Sequence, residues 1–180
     1  MLGDIRVYSS QGQGSSFIVC IPSKAVPPPP HKHLRLSTMA NIKERRLRAL
    51  VVDDVQFNIV VLSRYLSKMG LENIETARNG KEAYEKYKKS LEEGNPFNII
   101  TLDIEMPVLD GKSAAKKIRR LESEMDSLNK CLILMISGNC GELEINECLN
   151  KEGEIKADAF LKKPVSLEDL KSCILNGITN

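Results

Sequence analysis

Four short apolar runs in this chain each end on residues that a buried strand would not select. LRALVV runs into Asp53-Asp54, NIITL into Asp103, LILMI into Ser137, and AFLK into Lys163-Pro164. If these runs are neighbouring parallel strands, their carboxyl ends converge in one crevice, which is where open α/β sheets bind ligands. Three carboxylates, a hydroxyl and an ammonium would meet there. A carboxylate can attack a phosphoryl group and form an acyl phosphate, and Asp103 is the candidate nucleophile. Anion would then attack anion, so positive charge has to be supplied. Asp53 and Asp54 suit Mg²⁺, a hard cation that takes carboxylate, carbonyl and phosphate oxygens and neutralises charge on a transferring group. Two carboxylates about 4 Å apart repel by roughly 4 kcal/mol at an effective dielectric of about 20. Three of them facing only Lys163 require a bound cation or a proton. Taken singly, each residue has a plainer reading: an Asp pair caps helices, Lys-Pro makes loops, and Ser after a strand is a turn residue. Their conjunction at strand exits carries the chemistry.

The elements that would position these residues are legible from Leu47 onward. Strands are expected at 48–53, 73–77, 97–102, 131–136 and 157–161, alternating with amphipathic stretches at 55–69, 80–92, 111–124, 140–151 and 166–176. In the third stretch Ala114, Ala115, Ile118 and Leu121 form the apolar face, and Lys116, Lys117, Arg119 and Arg120 are expected to face water. Ser166, followed by Glu168 and Asp169, suits the cap and first turn of the last helix. NIITL and LILMI lack alternation, which indicates strands covered on both faces. Pro107 stops the strand that carries Asp103, and Asp110-Gly111 turns the chain into the next helix. Short connections between alternating strands and helices give a doubly wound α/β fold with a five-stranded parallel sheet.

Two further pieces precede this unit. Residues 1–23 read as a β-hairpin extension, with DIRVYSS and SSFIVCIP around QGQG. Residues 24–46 hold the run Pro27 to Pro30 among basic and polar residues and read as an extended linker. His31 and His33 lie in that linker without Cys or acidic neighbours, so they make no metal site.

Composition excludes several classes. Apolar residues make up 42% of the 180-residue chain, charged residues 28%, and no stretch approaches the length of a membrane span. MLGDIRVYSS has neither the basic start nor the apolar middle of a signal peptide. Five cysteines without a CxxC pair suggest a reducing compartment, with Cys131 and Cys173 as small core residues. The net charge of +2 divides into about +5 over residues 1–46 and about −3 over residues 47–180. The basic front has no aromatic interleaving, so no nucleic-acid partner is expected.

Residues 47–180 resemble a response-regulator receiver domain of two-component signalling. The resemblance rests on LVVDD (50–54) with Asn58 after it, TARNGKEA (76–83), LDIEMPVLDG (102–111), MISGN (135–139) and FLKKP (160–164). It implies a flavodoxin-like sheet of order 2-1-3-4-5. It implies that Asp103 is the phosphoacceptor, and that Asp53 and Asp54 hold Mg²⁺ together with Asp103 and the backbone carbonyl of Glu105. Ser137 would be the switch hydroxyl, Phe160 the switch aromatic and Lys163 the site lysine, while Lys162 is solvated. Glu105 and Asn139 occupy positions that tune hydrolysis, and Lys163-Pro164 is a candidate cis bond. The departures from the family pattern are Ser for Thr at 137, Gly for Ala at 138 and Phe for Tyr at 160.

Residues 1–23 resemble the final glycine box and closing hairpin of a histidine-kinase ATP-binding domain. Together the two resemblances imply the carboxyl-terminal part of a hybrid histidine kinase. The implied function is phosphorelay: a phosphohistidine donor domain passes its phosphoryl group to Asp103, and a histidine-containing phosphotransfer protein receives it. Mg²⁺ is the only cofactor implied, with a cytoplasmic setting and no membrane contact by this segment. No independent kinase activity is expected, since a receiver assists only its own phosphorylation and dephosphorylation. Two alternatives use the same parts. One is an aspartyl-nucleophile phosphohydrolase, although its acidic pair follows the nucleophile in sequence and its second Asp would stand where this chain has Glu105. The other is an interaction scaffold that works without phosphorylation.

Overall fold

The computed structural model describes residues 4–10, 12, 14–20, 46–125, 130–139 and 141–179. The chain divides into two units, one holding the hairpin and the other everything from residue 46 onward. The Pro27–Pro30 run, His31 and His33 lie outside the described residues, as does Cys140.

In the first unit β1 (Asp4–Ser10) pairs antiparallel with β2 (Gly14–Cys20). Gly12 and Gly14 take φ of 79° and 88° at the turn, a conformation open to glycine at little cost. The register sets Ile5 opposite Val19 and Val7 opposite Phe17, so four apolar side chains share one face. All four are more than half exposed.

The second unit contains the five-stranded sheet. Its strands are β3 (Arg48–Val52), β4 (Asn73–Ala77), β5 (Ile99–Asp103), β6 (Leu132–Ser137) and β7 (Ala159–Lys162), all parallel, in spatial order β4-β3-β5-β6-β7. This is the expected 2-1-3-4-5 order, and the β3–β5 junction is its switch point. The helices are α1 (Gln56–Lys68), α2 (Gly80–Glu92), α3 (Gly111–Glu124), α4 (Glu142–Leu149) and α5 (Leu167–Thr179). Alternate strand residues feed two cores. Leu50, Val52, Ile100, Leu102, Ile133 and Met135 pack with α2, α3 and Cys148 of α4. Ala49, Val51, Ile99, Leu134 and Ile136 pack with α1 and α5. Every residue of β5 and β6 is buried, as runs without alternation require.

Caps fix where the helices start. Asn79 accepts from the Glu82 amide at 2.9 Å, and the Glu82 carboxylate accepts from the Arg78 amide, just before the cap, at 2.9 Å. Asp110 accepts from the Ser113 amide at 2.8 Å, and Ser166 from the Asp169 amide at 3.0 Å. The Lys163-Pro164 bond is cis. Among the described residues Cys20, Cys131, Cys148 and Cys173 are free thiols, and no helix is long and apolar enough to cross a membrane.

One helix-face expectation fails. Arg119 does not face water; only 8% of it is exposed. Its guanidinium reaches Glu122 at 2.8 Å, the Cys131 carbonyl at 2.9 Å and Asp158 at 2.7 Å. Glu122, 1% exposed, in turn accepts from the Tyr87 hydroxyl at 2.7 Å and the Cys131 amide at 2.8 Å. Burial of these charges is tolerable because each is paired and hydrogen-bonded. Lys117 and Arg120 are exposed as expected, and Lys116 is half-buried.

Candidate functional site

The site lies at the carboxyl ends of β3, β5, β6 and β7. Asp53 follows β3, and its amide bonds to the Ala77 carbonyl at 3.2 Å, so pairing with β4 still grips it. Its side chain, 1% exposed, is held from three sides. Oδ1 accepts from the Val55 amide at 2.9 Å, both oxygens accept from Asn58 Nδ2 at 3.0 Å, and Oδ2 meets Lys163 Nζ at 2.9 Å. The sequence marked Asn58 as a motif position without a role. Folded, it orients Asp53, because one turn of α1 brings its amide back over the strand exit.

Asp103 ends β5 and is buried. The chain then turns tightly: the Ile104 amide donates to the Ile136 carbonyl and the Gly111 amide to the Ile104 carbonyl, both at 2.9 Å. The Asp103 carboxylate meets Lys163 Nζ at 2.7 Å. Lys163 is carried past β7 by its amide, which donates to the Ser137 carbonyl at 2.8 Å. Its ammonium therefore bridges Asp53 and Asp103, whereas Lys162 is exposed. Ser137 is buried at the end of β6, and its Oγ accepts from the Asn139 amide at 3.0 Å. Phe160 lies beside Met135 in the β6–β7 register, half-buried against the core. Asp54 and Glu105 are exposed at the rim.

Carboxylate oxygens of Asp53, Asp54 and Asp103 lie within 4.8 Å of one another. Burial, with the neighbouring charges of Asp53 and Asp54, lifts the Asp103 carboxyl above its ordinary value despite the hydrogen bond from Lys163. Burial pulls the Lys163 ammonium downward, but Asp103 and Asp53 outweigh it and the net shift is upward, so Lys163 stays charged. One ammonium against three carboxylates leaves the cluster two negative charges in excess. An all-oxygen donor set with that excess fits a hard divalent cation such as Mg²⁺. Two clefts of about 520 Å³ open beside the cluster. One is walled by Asp54, Glu105, Met106, Asp110 and Lys112, the other by Asp53, Phe57, Asn58, Tyr65 and Lys163.

Gly111 is a site residue that sequence reasoning took only for a turn. A Cβ there would stand 2.0 Å from the Asp103 carbonyl oxygen. Its sole sequence signal is glycine at a helix start, directly after a capping Asp.

The sheet order and the cluster at its switch point define an α/β module of two-component phosphorelay signalling. The chain belongs to the response regulator receiver domain family, whose model matches residues 49–175. It is 34% identical over 131 residues, 73% of this chain, to the osmosensing histidine protein kinase SLN1 of Saccharomyces cerevisiae, and spans 10% of that protein. Probable histidine kinase 1 of Oryza sativa subsp. indica aligns with 94% of this chain at 26% identity, of which the chain spans 19%. Among solved structures, the Arabidopsis thaliana CKI1 receiver domain complexed with Mg²⁺ and BeF₃⁻ superposes with a TM-score of 0.66 at 29% identity, covering 80% of this chain and 96% of that one. The co-crystal structure of the Saccharomyces cerevisiae phosphotransfer protein Ypd1 with the receiver domain of Ssk1 matches with a TM-score of 0.60 at 26% identity, over 70% of this chain and 84% of that one.

Proposed function

We propose that Asp103 is the phosphoacceptor of a relay between a histidine kinase and a histidine-containing phosphotransfer protein. The observation that carries this reading is a buried Asp103 carboxylate 2.7 Å from Lys163, with Asp53 and Asp54 oxygens within 4.8 Å. Asp53, Asp54, Asp103 and the carbonyl of Glu105 would hold Mg²⁺, which supplies positive charge for the incoming phosphoryl oxygens. Asp103 attacks phosphorus, its new P–O bond forming as the P–N bond of phosphohistidine breaks. Lys163 then exchanges a carboxylate partner for a phosphoryl oxygen. Ser137 turns its hydroxyl to a second oxygen, and Phe160 follows into the space beside β6. Glu105 and Asn139 border the phosphoryl group and tune its loss to water. Val55 and Phe57 at the start of α1, 49% and 73% exposed, flank the same mouth and meet the phosphotransfer partner.

Residues 1–23 belong to the end of a kinase ATP-binding domain, and residues 24–46 link it to the receiver at 47–180. The apolar face of Ile5, Val7, Phe17 and Val19 supports this, as a lone ribbon does not bury it. Alignment of the rice kinase with 94% of the chain supports it too. The parent is a hybrid histidine kinase with this module in the cytoplasm.

Incubation with acetyl phosphate and Mg²⁺, followed by intact mass measurement, tests the site. One hydroxylamine-labile phosphoryl adduct is expected on the wild type and none on Asp103→Asn. Equal adducts on both proteins overturn the assignment of Asp103.

A further inference from the structure

A cleft of about 490 Å³ lies at the end of the sheet opposite Asp103, between the Lys116–Ser123 part of α3, Lys130 two residues before β6, and the loop before β7. Among the described residues, six of the nine that line it are Lys or Arg and one is acidic, although residues 47–180 carry a net charge of about −3. Lys117, Lys130 and Lys156 form no ion pair among the described residues; Lys117 stands over the Tyr84 ring, 5.7 Å from its centre. Lys116 is held at 2.9 Å by Glu154, whose side chain is 78% exposed and free to yield its place to a stronger anion.

Two features of the fold hold the walls of this cleft. Lys156 has φ of 47°, a left-handed conformation that an L-residue adopts only at a cost. It is fixed by Arg119 Nε donating to its carbonyl at 3.1 Å and by the next amide, Ala157, donating to Cys148. Arg119 lines the cleft and forms a buried ion pair with Glu122, while its other end meets the exposed Asp158. Buried ion pairs add little net stability relative to apolar packing, and strained backbone persists where surrounding structure over-determines it. Here both hold basic walls in place.

We infer that this cleft binds a small molecule bearing two or more linked phosphate groups. Its volume falls in the range of small-molecule sites. Lysines act as compact point charges for phosphate, and Arg119 is spent on its carboxylates, so recognition rests on several separated ammoniums rather than one bidentate fork.

The test is calorimetric titration of the full chain carrying Asp103→Asn with inorganic tripolyphosphate, in Mg²⁺-free buffer of about 0.15 M ionic strength. Saturable one-to-one binding is expected, weakened about tenfold or more by Lys130→Gln with Lys156→Gln. Both lysines are exposed, and the same pair in the wild-type background must still accept phosphate from acetyl phosphate, which certifies its fold. A nucleoside triphosphate titrated in parallel separates the sources. Equal affinity assigns the cleft to the phosphate chain, and tighter binding assigns it to a nucleotide. Absence of saturation into the millimolar range, or equal affinity of the double variant, overturns the proposal.

Discussion

Gly111 presses its Cα against the backbone of Asp103: a Cβ on Gly111 would stand 2.0 Å from the Asp103 carbonyl oxygen. The first residue of α3 and the last of β5 are thus locked together across the intervening loop. Gly111→Ala must push one of them away, and neither is a flexible side-chain end. We expect a loss of about 2–3 kcal/mol in urea unfolding, as for overpacked cores. Phosphorylation of the remaining folded protein should slow at least tenfold, since a displacement near 1 Å is enough for such a loss.

Lys163 bridges Asp53 and Asp103 at 2.9 and 2.7 Å. In Lys163→Met the two carboxylates repel without a cation between them. The metal-free variant should be less stable by about 1–2 kcal/mol, discounted for partial exposure of the ammonium. Mg²⁺ should restore most of that loss while phosphate acceptance stays depressed. Thermal melts with and without Mg²⁺, paired with intact mass, check both halves.

Asp103 has its carboxyl raised by burial and by Asp53 and Asp54. A carboxyl whose folded value exceeds its unfolded value stabilises the fold at low pH, and that contribution disappears as pH rises through the folded value. At neutral pH the ionised Asp103 is therefore a burden on the metal-free protein. Asp103→Asn should raise its stability by about 1 kcal/mol, or roughly 2–8 °C in Tm. The advantage should shrink as pH falls through the carboxylate range, and shrink likewise when Mg²⁺ is added. A variant less stable than wild type at neutral pH would contradict this account.

Tyr87, Arg119 and Glu122 form a buried network that reaches the exposed Asp158 through the Arg119 guanidinium. Arg119→Met leaves the buried Glu122 carboxylate without its cation, while the exposed Asp158 keeps the Ile133 amide and Lys151, and should cost about 3 kcal/mol. Tyr87→Phe removes one hydrogen bond to Glu122 and should cost about 1–2 kcal/mol. Denaturant melts of both and of the double variant should show costs that do not add, because both substitutions act on Glu122.

Much of this protein can be read from residue order alone. The strand–helix alternation, the cap at Ser166, the turn at Asp110-Gly111, and the polar exits Asp53, Asp103, Ser137 and Lys163 all follow from residues a few positions apart. Such features are local: backbone periodicity and capping bonds need no distant partner. Only the tertiary structure decided that Asn58 clamps Asp53, that Lys163 joins two carboxylates, and that Gly111 abuts Asp103. It alone moved Arg119 from the water-facing side of α3 into the core. Its partners at Cys131, Lys156 and Asp158 stand 12, 37 and 39 residues away. A helical period treats a long cationic side chain as exposed, because burying it is costly unless every charge finds a mate. Those mates arrive only when the start of β6 and the loop before β7 close over α3.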